Sequence, residues 1–411
     1  MKAPRVLFVR GARGIEDFSG AESLIVTSVR GLEALGSRCM VVLVVRSQQA
    51  GSGWIQRFRE AGVDLKLVFV DRAYSTRDLF ELPKLIRHYN ADVVHPVDHR
   101  ADVVGVAAAR LTGRAAIATY TGWTNWDESF ARGGWYEWAD RQALKSADAI
   151  IVDSRSHGVT LGFGSEHTPR VVIPNGINIK KFDPDVIGRD YRARLFDEDD
   201  VIIVGMVGRI HPNKGQHELV EAAAMLAERY PRARYAIVGE STVGFESYKS
   251  DLLQKITERG LNDVVRVTNF SHPEIPQVFA AFDCLAAPSY IEGISFTILE
   301  AMAMRLPVVS TDAGGTPEII SHEENGLLVP PGDVGSLADG ISRLFDDQAL
   351  RERLGRCACA TIEQGYTIEV MARRNQQTYH EVLAWREKGA AGRRDDNGLR
   401  SRLASAGLGV L

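Results

Sequence analysis

The feature that most constrains this chain is an alternation of short apolar runs with longer helical patterns, carried through twice. In the first half the β-branched runs are Arg5–Val9, Met40–Val45, Leu65–Val70, Asp92–His95, Ala115–Thr119, Ala149–Val152 and Val171–Ile173. Between them lie amphipathic stretches at Ala21–Leu35, Asp78–Tyr89, Ala101–Leu111 and Trp135–Lys145. Strands that alternate with helices imply parallel strands joined by crossover helices. Turn formers then gather at Ile173-Pro-Asn-Gly-Ile and Phe182-Asp-Pro-Asp. After them the pattern restarts: strand Val201–Val207, helix Gln216–Arg229, strand Tyr235–Val238, helix Tyr248–Arg259, strands Val264–Thr268 and Cys284–Ala287, helix Phe296–Ala303, strand Val308–Ser310.

The chain has 411 residues. Single cores stop growing at roughly 250–300 residues, so two doubly wound α/β domains are expected. They are placed at 1–180 and 181–365. A helix at 366–388 is expected to pack back toward the first domain, and 389–411 to form a poorly ordered tail of Gly, Ala and charged residues. In doubly wound sheets ligands bind beyond the carboxyl ends of the strands, so the loops at those ends are where chemistry is sought.

Composition narrows the class. With 45% hydrophobic and 25% charged residues the chain reads as globular, not disordered. Its purely apolar runs, such as Cys39–Val45, are far short of the ~20 residues that span a bilayer. The start, MKAPRVLFVRGARG, reads as a first strand and not as a secretory leader, so a cytoplasmic protein is expected. Cys39, Cys284, Cys357 and Cys359 have neither disulfide-framework nor zinc spacing and read as structural thiols. Residues 1–180 carry 23 Lys and Arg against 19 Asp and Glu, while residues 181–411 carry 26 against 34. The basic first half either faces something anionic or reflects ordinary scatter.

Two constellations carry chemistry. In Glu292-Gly-Ile-Ser-Phe-Thr-Ile-Leu-Glu300, two carboxylates bracket a glycine and the start of a helix. Gly293 admits a ligand close to the backbone. The free amides around Ser295–Thr297 suit a phosphate, and the flanking carboxylates suit sugar hydroxyls. By spacing alone, an ordinary capped helix fits as well. The second constellation, Val207-Gly-Arg209-Ile-His-Pro-Asn-Lys214-Gly-Gln, places two cations in the first loop of the second domain. Arg as a planar fork and Lys as a mobile charge suit a diphosphate; two solvated surface cations are the plainer reading.

Gly208-Arg209…Lys214-Gly215, the Glu292–Ala303 segment and Pro307-Val-Val-Ser-Thr-Asp-Ala-Gly-Gly-Thr-Pro-Glu318 resemble glycosyltransferase family 4. So do Ser19-Gly20-Ala21-Glu22, Ile173-Pro-Asn-Gly176-Ile and Asn325-Gly-Leu-Leu-Val-Pro-Pro-Gly332, and the likeness runs over nearly the whole chain. The resemblance implies a retaining enzyme of the GT-B fold, two Rossmann-like doubly wound parallel-sheet domains facing a central cleft. It implies that Arg209 and Lys214 bind the donor diphosphate, that Glu292 contacts the transferred sugar and Glu300 the ribose, and that amides of Gly293, Ile294, Ser295, Phe296 and Thr297 cradle sugar and phosphate. Gly20 would let the N-terminal loop approach the donor phosphate. The sequence departs from the family at Ala118-Thr-Tyr-Thr121-Gly122, where Thr121 stands in place of a frequent histidine.

The expected partners are therefore a nucleoside-diphosphate sugar and a glycan or lipid-linked acceptor, with a weak peripheral membrane contact through the N-terminal domain and no nucleic acid. No cofactor or metal is expected; Asp183-Pro-Asp185 reads as a turn. On the acceptor side stand Thr121, Trp123 and Trp126, within a run that also holds Trp135 and Trp138. Those aromatics suit sugar faces or a membrane interface, and equally a core. His95 and His99 follow the fourth strand and read as core or solvent-facing residues that could also reach the cleft. Two rival functions remain: an epimerase or hydrolase of sugar nucleotides, and a non-catalytic sugar-nucleotide binder. A dehydrogenase is disfavoured, because Gly11-Ala-Arg-Gly14 is not the G-x-G-x-x-G fingerprint.

Overall fold

The computed structural model describes residues 2–11, 20–70, 76–120, 134–162, 168–198, 200–241, 244–270, 274–388 and 396–411. The chain divides into two compact units, 1–176 with 368–411, and 177–367.

The first unit is built from β1 (Arg5–Gly11), α1 (Gly20–Ala34), β2 (Arg38–Val45), α2 (Gly53–Glu60), β3 (Leu65–Phe69), α3 (Thr76–Tyr89), β4 (Val93–Pro96), α4 (His99–Thr112), β5 (Ala115–Tyr120), α5 (Gly134–Lys145), β6 (Ala149–Val152), α6 (Arg155–Thr160) and β7 (Arg170–Val172). These seven strands run parallel in the order β7-β6-β5-β4-β1-β2-β3. The central strands are buried on both faces, which is why β1 and β2 read as unbroken apolar runs. One face packs Val6, Phe8, Val41 and Leu43 under α1 and α2, and the other packs Leu7, Val9, Val42 and Val44 under α3 and α4.

The second unit runs α7 (Arg192–Leu195), β8 (Ile202–Val207), α8 (Gln216–Leu226), β9 (Ala233–Val238), α9 (Glu246–Glu258), β10 (Val265–Thr268), α10 (Ile275–Ala280), β11 (Cys284–Ala287), α11 (Phe296–Ala303), β12 (Val308–Thr311), β13 (Leu327–Val329), α12 (Val334–Asp346) and α13 (Gln348–Gly365). Its parallel sheet has the order β10-β9-β8-β11-β12-β13. In both sheets the first strand is interior, and the strand order turns back between the first strand and the fourth: β1 lies beside β4 and β8 beside β11, all parallel. That is the topological switch point, where crossovers part to opposite faces and leave a crevice.

Two expectations are corrected. The division falls at 176/177 and 367/368, a few residues from the expected 180/181 and 365/366, because Ile177 already bridges Thr367 and donates to Tyr366 O at 2.9 Å. Residues 396–411 of the expected tail are ordered. After α14 (Ile368–Glu387), α15 (Asp396–Ser405) buries Leu399 and Leu403, and β14 (Gly409–Val410) pairs antiparallel with β7. Both belong to the first unit. There α14 crosses α1 so closely that a Cβ on Gly31 would meet Ala372 and Ile368. Among the described residues no helix is long and apolar enough to cross a membrane.

Candidate functional site

In the second unit both switch-point loops carry the charged residues singled out above. The loop after β8 holds Arg209 and Lys214, and the loop after β11 leads through Glu292 into α11. Glycine makes the two loops mesh. Gly215 has φ +76° and sits against Pro288, so a Cβ there would run into the Pro288 carbonyl. Tyr290 N donates to Asn213 O at 2.8 Å and ties the loops together. Gly314, in the loop after β12 and at φ +56°, lies under Glu292, whose carbonyl accepts from Gly315 N at 3.0 Å.

That framework brings Lys214 Nζ onto the Glu292 carboxylate, and Ser289 Oγ donates to Glu292 Oε1 at 3.0 Å. Ser289 is in turn held by Thr311, whose hydroxyl donates to its carbonyl. Arg209 is exposed and makes no ion pair among the described residues. Its carbonyl accepts from the buried Gln216 amide at 2.8 Å, which fixes the loop. Between the cations, His211 caps the 3-10 turn Pro212–Lys214 by accepting from Asn213 N at 3.2 Å. Burial, with Arg209 and Lys214 nearby, pushes His211 down to about 4, so it is neutral at physiological pH.

The helix α11 opens at Phe296 with Ser295 as its N-cap, and the Ser295 side chain makes no capping bond. The first amides of α11 and the positive end of its dipole therefore remain for an anion. Gly293, Ser295, Phe296 and Thr297 are partly exposed, and Ile294 is buried. Glu300 stands one turn inside α11 and is half-buried. Burial pushes its carboxyl up to about 8, with Lys181 pulling the other way. The shift favours the protonated form, which can donate a hydrogen bond as well as accept one. Tyr290 OH donates to Glu218 Oε1 at 2.6 Å, and that bond followed by burial pushes the phenol up to about 12.

The first unit's switch point is also polar. Gly11 N, at the end of β1, donates to Asp98 Oδ2 at 2.6 Å, and Arg10 bridges Glu22 and Asp98 at 2.8 Å each. Glu22 and Arg10 are buried. Gly20 opens α1, two residues before Glu22. Asp98 caps α4 by accepting from Arg100 N and Ala101 N, and holds φ 144°, outside the usual range for a side-chain-bearing residue. Sequence reasoning missed this cluster; an arginine inside an otherwise apolar strand was its one signal.

The remaining expectations sort as follows. His95 is a core residue: buried, 2.6 Å from both Tyr379 OH and Thr119 Oγ1, and pushed down to about 3 by burial. His99 is half-exposed. Asp183 and Asp185 form a turn, with Asp185 paired to Arg305 at 2.7 Å. Cys39 and Cys284 are buried, whereas Cys357 is exposed. Thr121, Trp123 and Trp126 lie outside the described residues. Trp138, on α5, is 63% exposed.

The chain is similar to several known proteins. The family model described as Glycosyl transferases group 1 matches residues 189–359, and that of Glycosyltransferase Family 4 matches residues 18–181. Among curated proteins, an alpha-D-kanosaminyltransferase of Streptomyces kanamyceticus is 31% identical over 60% of this chain and 64% of its own length. The lipopolysaccharide core biosynthesis mannosyltransferase LpsB of Rhizobium meliloti is 27% identical over 58% of this chain and 67% of its own. The chain thus spans roughly two thirds of the length of these curated relatives. HepE of Anabaena, solved in complex with UDP, superposes with TM-score 0.76 at 22% identity, over 92% of this chain and 99% of its own. The fold is GT-B, and the chain belongs to glycosyltransferase family 4, the glycosyl transferases group 1.

Proposed function

We propose that the protein transfers a hexose-type sugar from a nucleoside-diphosphate sugar to a hydroxyl of a glycan, lipid-linked or small-molecule acceptor, with retention of anomeric configuration. The observation that carries this reading is the meeting of Lys214, Glu292 and the uncapped start of α11 at one switch point, beside Arg209. Cations and helix amides suit a diphosphate, and carboxyls suit sugar and ribose hydroxyls. The relatives named for kanosaminyl and mannosyl transfer, and the neighbour solved with UDP, support it.

In this reading the bond from the sugar C1 to the diphosphate oxygen breaks as a bond from C1 to the acceptor oxygen forms on the same face. The hydroxyl proton leaves on the diphosphate. Arg209, Lys214 and the α11 amides meet the charge that develops there, so the reading needs no metal; such preorganised charge is often the largest catalytic contribution. Glu300 would hold the ribose and Glu292 the sugar. The place of work would be the cytoplasm, at the inner face of the membrane, in polysaccharide or lipopolysaccharide assembly.

A thermal-shift panel of nucleoside-diphosphate sugars, followed by transfer assays in the presence and absence of EDTA, tests this. A donor at 100 times its Kd adds roughly 2.7 kcal/mol of stability. One donor should shift the melt and support transfer with EDTA present. Binding without turnover would favour a non-catalytic binder, and release of the diphosphate without any acceptor product would favour a hydrolase or epimerase.

A further inference from the structure

We propose that the amino end of the first unit's sheet carries a binding site for a phosphomonoester, with Arg5, Arg38 and Lys66 as the cations that receive it. The site lies wholly within the first unit. It goes beyond the sugar-transfer reading and does not rest on it.

Strand alternation brings the three cations together. Successive side chains of a strand point to opposite faces. In β1, Arg5 therefore shares a face with Leu7 and Val9; in β2, Arg38 shares one with Met40 and Val42; in β3, Lys66 shares one with Val68. All of these apolar residues belong to the core under α3 and α4. The cations thus stand on one face of three adjacent strands, where that core ends. Arg5 and Arg38 are register partners on β1 and β2. Neighbouring strands lie about 4.8 Å apart, so the two side chains leave the sheet side by side. Like charges set opposite one another in a sheet are destabilising.

Nothing in the described residues relieves that repulsion. None of the three cationic groups makes a side-chain hydrogen bond or an ion pair there. With Asp64, His88 and Tyr89 they line a cavity of about 290 Å³ beneath the last turn of α3. Ligand sites begin at roughly 300 Å³, so the space suits a small ligand. Asp64 is the one carboxylate in the lining, and it pairs with none of the three. Burial, then Cys39 and Asp64, push the Tyr89 phenol up, so it keeps its proton and can donate.

This chemistry fits a phosphate monoester. Such a group carries about −1.5 to −2 charge at neutral pH and presents three acceptor oxygens. Arg supplies a planar fork and Lys a mobile point charge to those oxygens. An anion between Arg5 and Arg38 turns their repulsion into two attractions. The cavity lies six residues along β1 from Gly11, roughly 20 Å from the crevice at the other end of the sheet, so a ligand here leaves that crevice open. The excess of basic residues in the first half of the sequence acquires a location at this face.

A phosphomonoester reaches the site either as a soluble molecule or as a lipid headgroup, and the two are told apart with two probes. Calorimetric titration with inorganic phosphate and glycerol phosphate, against chloride at equal ionic strength, reads the soluble form. Co-sedimentation with phosphatidylcholine vesicles containing phosphatidic acid reads the lipid form. Vesicles containing phosphatidylglycerol at equal surface charge control for diffuse attraction. Every titration is repeated in the R209A/K214A protein, which lacks the donor loop's own cations. Arg38 and Lys66 are exposed, so R38Q and K66Q leave the core intact. Each should weaken binding about tenfold or more, the scale of one charge-assisted hydrogen bond. Saturable binding of the soluble phosphates that survives R209A/K214A and is lost in R38Q/K66Q supports the site with a soluble ligand. Binding confined to phosphatidic acid vesicles, with the same dependence on Arg38 and Lys66, supports it with a lipid ligand. Equal effects of chloride and phosphate, equal binding to phosphatidylglycerol vesicles, or unchanged binding in R38Q/K66Q would overturn it. None of these results bears on the donor site.

Discussion

The ammonium of Lys214 rests on the carboxylate of Glu292, 78 residues further along the chain. The two residues reach one another because the loops after β8 and β11 interlock through Gly215 and Pro288. In the proposed reading a donor diphosphate would take Lys214 from one anion to another, with the ammonium already held in place by Glu292.

Replacing Lys214 or Arg209 by alanine should cut kcat by about 10²–10³, the usual cost of removing one electrostatic donor to a developing oxyanion. Far-ultraviolet circular dichroism should be unchanged, since neither side chain supports the core. Transfer rates near wild type in both variants would remove the diphosphate from this loop.

Glu300→Gln and Glu292→Gln should separate. A ribose contact acts about equally in ground and transition states, so Glu300→Gln should raise donor KM with kcat nearly kept. A carboxylate beside a sugar that gains positive character favours the transition state, so Glu292→Gln should lower kcat. Steady-state kinetics at varied donor decide it; the reverse pattern in either variant contradicts the assigned role.

Glu300 also makes stability depend on pH. Burial raises its folded value to about 8 from the usual 4.5 of a free glutamate, so the folded state binds this proton more tightly than the unfolded state. The contribution is full below about pH 4.5 and is lost as pH rises toward about 8. Glutamine stays neutral throughout. The advantage of Glu300→Gln over wild type should therefore grow between about pH 5 and about pH 8 in urea midpoints, and a constant difference would show that the carboxyl is not held protonated.

Gly215→Ala should destabilise by about 1–3 kcal/mol, from the left-handed backbone and the clash with Pro288. It should also weaken donor binding, since the Lys214–Glu292 contact depends on that mesh. Gly260→Ala, equally left-handed at φ +68° but facing open space, separates backbone strain from loop contact. Equal loss of donor affinity in both would show that the mesh is unimportant.

Much of this was legible in the sequence. The strands of both sheets follow from unbroken β-branched runs, because parallel strands covered on both faces leave no polar alternation to obscure them. The Arg209–Lys214 loop and the start of α11 were readable because glycine and proline fix loop shape locally. What escaped depends on distant partners. Leu327–Val329 is a three-residue strand set between turn formers, visible only once β12 lies beside it. In α15, Leu399 and Leu403 are too few to signal a helix until α14 covers them. Arg10, Glu22 and Asp98 come from β1, α1 and the loop after β4, so no local spacing announces their cluster. Asp140 is equally silent, a lone acid on α5 whose partner His99 lies 41 residues away.

The allocation of the last residues has a consequence for synthesis. Residues 177–367 are contiguous, so the second unit has its whole sequence as soon as that stretch leaves the ribosome. The first unit does not: α14, which covers α1, and β14, which closes the edge of β7, are translated only after the second unit. Domains generally fold as units in the order in which they are made. Here that order is inverted: the unit translated first along 1–176 is completed only after the contiguous second unit, by residues 368–411.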